Sequence, residues 1–111
     1  MADSMIERFE ALLARGQDNA LVRFTLGGAY LRAGDARRAV AHLRAALVHD
    51  PSYSAAWKLL GQALTGAGQR DEAMETYRRG IATAMAKGDR QAAKEMEVFL
   101  RRLERQSAAG D

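Results

Sequence analysis

Residues 54–80 read SAAWKLLGQALTGAGQRDEAMETYRRG, and residues 20–46 read ALVRFTLGGAYLRAGDARRAVAHLRAA. A shift of 34 residues (60 minus 26) lays Leu26 on Leu60, Gly27 on Gly61, Tyr30 on Leu64 and Gly34 on Gly68. The same shift lays Ala39 on Ala73, Leu43 on Tyr77, Ala46 on Gly80 and Leu47 on Ile81. Each copy holds two segments of helix length around a glycine turn, and self-similarity at this period marks a helical repeat. The matched residues make physical sense. Gly27 and Gly61 lack side chains where the first helix of a pair meets the second. Ala39 and Ala73 are the small partners across that contact, and Leu43 and Tyr77 fill the space one turn on. Small residues against small ones beside a bulky neighbour set a close, fixed crossing.

Working outward, almost the whole chain reads as helix. Ala, Leu, Arg, Glu and Gln dominate, β-branched residues are few, and breakers stand at Gly16, Gly34, Asp50-Pro51, Gly66 to Gly68 and Gly88. Six helices are expected at about 3–15, 19–33, 36–49, 53–67, 70–87 and 89–106. Asp18 and Asn19 can cap the second helix, Asp35 the third, Ser52 the fourth and Asp89 the sixth, because each offers an oxygen to unpaired N–H groups. Gly34 and Gly68 suit the left-handed residue that ends a helix. The apolar residues recur at spacings of three and four: Ala39, Leu43, Ala46 and Leu47; Trp57, Leu60, Gly61 and Leu64; Ala92, Met96, Phe99, Leu100 and Leu103. Short connections force neighbouring helices to run antiparallel.

Residues 54–87 resemble a tetratricopeptide repeat. Trp57, Leu60, Gly61, Leu64, Gly68, Ala73 and Tyr77 follow the family's W-x-x-L-G-x-x-Y…A-x-x-x-F pattern, with Leu64 in the tyrosine place. Residues 20–53 carry a second copy, with Arg23 where Trp57 sits and Asp50-Pro51 closing it. The later copy has Met85 in the place of Pro51, so its last helix is expected to run longer. In the same register Met5, Phe9, Leu12 and Leu13 fall on Ala39, Leu43, Ala46 and Leu47, so residues 3–15 resemble half of a truncated repeat. Lys94 and Glu95 fall where Leu and Gly are expected, so residues 89–106 resemble the helix that caps such arrays, with 107–111 expected as a disordered tail. The resemblance implies an all-α fold, a right-handed superhelical solenoid of about six helices in antiparallel pairs, forming one domain over residues 1–111.

Composition narrows the function. There are 17 Lys+Arg against 14 Asp+Glu, a net charge of +3, and no cysteine. The last excludes disulfides, thiolate zinc sites and thiol catalysis and fits a cytoplasmic setting. No apolar run reaches the roughly 20 residues that span a bilayer, and the start lacks the apolar stretch of a signal peptide. The charge is too sparse, and aromatic platforms too few, for a nucleic-acid footprint; the excess of Arg over Lys fits a GC-rich genome. His42 and His49, seven positions apart on one helix, lie about 10 Å apart, too far to share a metal, and both are expected in solvent. There is no phosphate loop, no Ser-His-Asp order and no metal-ligand spacing. No enzyme activity and no cofactor are expected.

Repeats of this family are similar in use: they are binding scaffolds, and the first helices of successive pairs line a concave groove for a partner's peptide or helix. Carried over by position, that groove is Leu21, Phe24, Gly28, Leu31 and Arg32 from one pair, and Ala55, Lys58, Gln62 and Thr65 from the next. Phe24 and Leu31 are the expected apolar anchors, Arg32 and Lys58 the polar rim, and Gly28 a gap that deepens the surface. The lysine–asparagine carboxylate clamp of one subclass is absent, since Phe24 and Gly28 stand in its first places. Phe24 and Leu21 have a competing role as packing for the first helix. A self-associating homodimer module and a basic RNA-associated domain are the alternative functions.

Overall fold

A computed structural model describes residues 2–110 of the chain. They form six helices: α1 (Ala2–Ala14), α2 (Ala20–Arg32), α3 (Ala36–His49), α4 (Ser54–Gly66), α5 (Arg70–Ala86) and α6 (Arg90–Gly110). Successive helices pack on one another, α2 also touches α4, and α4 touches α6. The body is elongated, 45 × 31 × 20 Å, as stacked helix pairs require.

The turns follow from glycine. Gly16, Gly34, Gly68 and Gly88 have φ between +78° and +87°, the left-handed region that side chains disfavour. After each, the next N–H reaches back five residues: Asp35 to the Tyr30 carbonyl at 2.9 Å, Gln69 to Leu64 at 2.9 Å, and Asp89 to Ala84 at 2.8 Å. These bonds satisfy carbonyls that the ending helix leaves open. At the helix starts, Asn19 accepts from the Val22 N–H at 2.9 Å, Asp35 from Arg38 at 3.1 Å and Asp89 from Ala92 at 3.2 Å. Ser52 is not a cap. The residue before α4 is Tyr53, and Ser52 instead donates twice to Asp50, at 3.1 and 2.8 Å.

The repeat contacts lie where the 34-residue register puts them. A Cβ added to Gly27 would stand 2.6 Å from the Leu43 side chain, and one added to Gly61 would overlap the Tyr77 ring. Leu43 and Tyr77 are buried, as are Ala39 and Ala73 beside them. Trp57 is buried too, and its indole donates to the Pro51 carbonyl at 2.8 Å. α5 has 17 residues against 14 in α3, the extension expected where Met85 replaces Pro51.

α6 closes the stack. Ala93, Met96 and Leu103 are buried, with Ala92, Phe99 and Leu100 packed around them. Gly80 lets α6 approach α5: a Cβ there would meet the Met96 sulfur at 2.6 Å. Contrary to expectation, no tail begins at 107. The helix continues to Gly110, and Asp111 lies outside the described residues.

Candidate functional site

α2 and α4 lie side by side because α3 carries the chain back between them. The first-helix residues that face neither paired helix therefore form one strip, in two parts. The first part is apolar. Leu21 is 64% exposed, and Leu31 and Phe24 are half-buried against the core. The Phe24 ring leans on Tyr53, with centroids 4.7 Å apart. Phe24 therefore packs on the turn before α4, and the aromatic pair Phe24–Tyr53 spans the junction of the two repeats.

Gly28 does not deepen this surface. It is buried, and a Cβ there would lie 3.4 Å from the Arg32 guanidinium and 3.6 Å from Leu59. Arg32 folds back over the gap one helical turn on, and its guanidinium reaches the Met5 sulfur at 3.5 Å. Lys58 is not a free rim cation either: its ammonium donates to Glu95 of α6 at 2.6 Å. Glu95 also accepts from Gln91 at 3.0 Å. These bonds, that from Lys58 foremost, hold its carboxyl below the usual range.

The second part lies between α4 and α6. Gln62 and Thr65 line a depression of about 200 Å³ with Tyr77, Phe99, Arg102, Leu103 and Gln106. The Thr65 hydroxyl donates to the Gly61 carbonyl at 2.8 Å. Burial raises the Tyr77 hydroxyl pKa to about 12. Sequence reasoning on the first helices alone missed Tyr53, Glu95 and the α6 wall. The signal was present in the register, since 34 residues separate Phe99 from Thr65.

A separate polar cluster ties α1 to the first repeat, and it explains Arg23. The guanidinium forks onto Asp18 at 2.8 and 2.9 Å and lies 3.1 Å from Nδ1 of His42. An arginine only donates, so that nitrogen accepts and a neutral ring carries its proton on Nε2, which faces Glu10 at 3.7 Å. His42 is not in solvent as expected. Its ring stacks on Tyr30 at 5.4 Å, Tyr30 donates to Glu10 at 2.5 Å, and burial pushes the imidazole pKa down. Asp18 also meets His49 Nε2 at 3.0 Å, and these bonds, led by Arg23, hold its carboxyl far below the usual range. The cluster is a fastening: Asp18 is taken from the helix cap it was expected to form. Among the described residues no group of three or more His, Cys, Asp or Glu is placed to hold a metal, and no helix is long and apolar enough to cross a membrane.

Known proteins agree with this geometry. A family model described as tetratricopeptide repeat matches residues 30–95. The TPR repeat-containing protein PA0015 of Pseudomonas aeruginosa is 55% identical over 101 residues, covering 91% of this chain and 96% of that protein. The solution structure of protein BPP2914 from Bordetella parapertussis superposes with a TM-score of 0.83 at 50% identity, over 95% of this chain and 91% of that one. A tetratricopeptide repeat domain protein from Salinibacter ruber, solved as a crystal structure, gives 0.70 at 26% identity over 77% of this chain and 96% of its own. The register of Gly27 and Gly61, the helix pairs built on it and these relatives lead to one conclusion: the chain belongs to the tetratricopeptide repeat family.

Proposed function

We propose that this protein is a non-catalytic interaction module that holds an extended segment or a helix of a partner protein along the strip formed by α2 and α4. The observation that carries the reading is the apolar part of that strip. Leu21, with 64% of its surface exposed, and half-buried Phe24 and Leu31 follow one another at spacings of three and seven along α2, so they share one face of that helix. Grouped apolar surface left open by a stable fold is the usual mark of a docking site, and an aromatic residue in it is the usual anchor. With Lys58 held by Glu95, the apolar residues carry the affinity and Arg32 supplies the local charge.

The test is affinity capture from the source cell with three baits: the native chain, Phe24→Ala, and Arg38→Ala on α3. A partner retained by the native chain and Arg38→Ala but lost with Phe24→Ala supports the strip. Loss with Arg38→Ala alone moves the site to the outer helices. Capture that fades steeply with salt and depends on RNA contradicts protein binding, because phosphate contacts are the salt-sensitive ones.

A further inference from the structure

The depression between α4 and α6 differs from the rest of the strip in its charge. None of the seven residues around it is acidic, and Arg102 stands at its edge with the guanidinium carbon 5.8 Å from the Phe99 ring centre. On α5 and α6, Glu104 and Glu75 pair with Arg78 at 3.4 and 3.9 Å, and Glu97 pairs with Arg101 at 4.0 Å. Arg32 and Lys58, the other cations of the strip, lie against Met5 and Glu95. Among the described residues Arg102 has no acidic partner in ion-pair reach. Phe99 and Leu103 form the apolar wall of the hollow, and Gln62 and Gln106 line it as well. The hollow does not stop there. Past Thr65, Leu103 and Gln106 it continues as a shallower surface to Gly68, Arg70 and Asp71.

We propose that this depression is the specificity end of the groove: it receives an apolar side chain of the partner segment on Phe99 and Leu103 and pairs the neighbouring acidic side chain with Arg102. The inference rests on the groove reading above and names the chemistry of the partner. A guanidinium meets a carboxylate through two parallel N–H bonds, a fit that a lone ammonium lacks. The apolar floor lowers the local dielectric and strengthens the pair over a fully exposed one. The continuing surface makes the acid an internal Glu or Asp rather than a chain terminus, because the segment has room to run on.

The experiment uses the full isotope-labelled chain and three decapeptides, followed by the backbone amides of Phe24, Thr65 and Gln106 and the side-chain Nε–H of Arg102. Two peptides are blocked at both ends and differ only in a Leu-Glu or a Leu-Gln pair. The third carries Leu-Gln and a free terminal carboxylate. The expected result is a Kd about three- to tenfold lower for the Glu peptide than for the Gln peptide, with the difference erased in Arg102→Gln. Equal affinities, a preference that survives Arg102→Gln, or tightest binding by the free-carboxylate peptide overturns the assignment. Perturbation confined to α2 overturns it and leaves the groove reading standing. Peptides that perturb neither α2 nor α4 overturn both.

Discussion

Alanine at Gly61 and alanine at Gly28 are the same chemical change in the middle of equivalent helices, and the structure gives them opposite signs. In each helix the change removes the backbone-entropy cost of glycine, a gain of about 0.5–1 kcal/mol. At Gly28 the new methyl meets only the end of the flexible Arg32 side chain at 3.4 Å and Leu59 at 3.6 Å, so the gain survives. At Gly61 the methyl overlaps the Tyr77 ring. That ring is 1% exposed and faces Phe99 with centroids 5.8 Å apart, so it cannot swing aside without disturbing α6. Overpacking of this kind costs about 1–3 kcal/mol. The propensity gain cancels in the comparison, so Gly61→Ala should be less stable than Gly28→Ala by about 1–3 kcal/mol. At roughly 4 °C per kcal/mol for a chain of this length, the midpoints separate by about 4–12 °C. Thermal and urea unfolding followed by helix signal measure this directly. Equal midpoints, or a more stable Gly61→Ala, would refute the close crossing of α4 and α5 and the repeat register with it.

Three other expectations follow from the packing and the polar cluster. Met96→Ala should cost about 2–5 kcal/mol, because the side chain is fully buried against Gly80 and its loss leaves a cavity; a cost under half a kcal/mol in urea unfolding would place α6 outside the core. Deleting residues 89–111 should expose the edge of the second repeat and end cooperative unfolding or cause aggregation, so a truncated chain that stays monomeric in sedimentation and equally stable contradicts the cap. His42 has a folded pKa below its ordinary 6.5, so between those two values the unfolded chain binds the extra proton. Its contribution is complete above pH 6.5 and is lost as pH falls through the folded pKa, and a His42→Gln chain should show a flatter stability profile between pH 5 and about 7.

What the sequence made legible was whatever the 34-residue period repeats. Gly27 against Leu43 and Gly61 against Tyr77 are the same contact made twice, and self-comparison finds such contacts. The longer α5 was legible for the same reason, through Met85 in the place of Pro51. What stayed hidden depends on pairs the period does not relate. Lys58 meets Glu95 because α6 docks on both α4 and α5, and no spacing within a repeat brings those two together. Arg32 covers Gly28 through a side-chain fold that repeat position does not encode. His42 and Arg23 pair across α2 and α3 only in the first repeat, where Arg23 replaces the tryptophan. Helical propensity carried α6 on to Gly110 through Ser107, Ala108 and Ala109, where composition suggested a tail.

On the proposed function, the strip of α2 and α4, and not the outer face of α3, meets the partner. The direct measurement places a photo-crosslinking benzoylphenylalanine at position 24 in one chain and at position 38 in another, irradiates each in the source cell and identifies the adducts by mass. A protein adduct from position 24 that is missing from position 38 is the predicted result. Adducts from position 38 alone, or adducts of a second copy of this chain from position 24, contradict it.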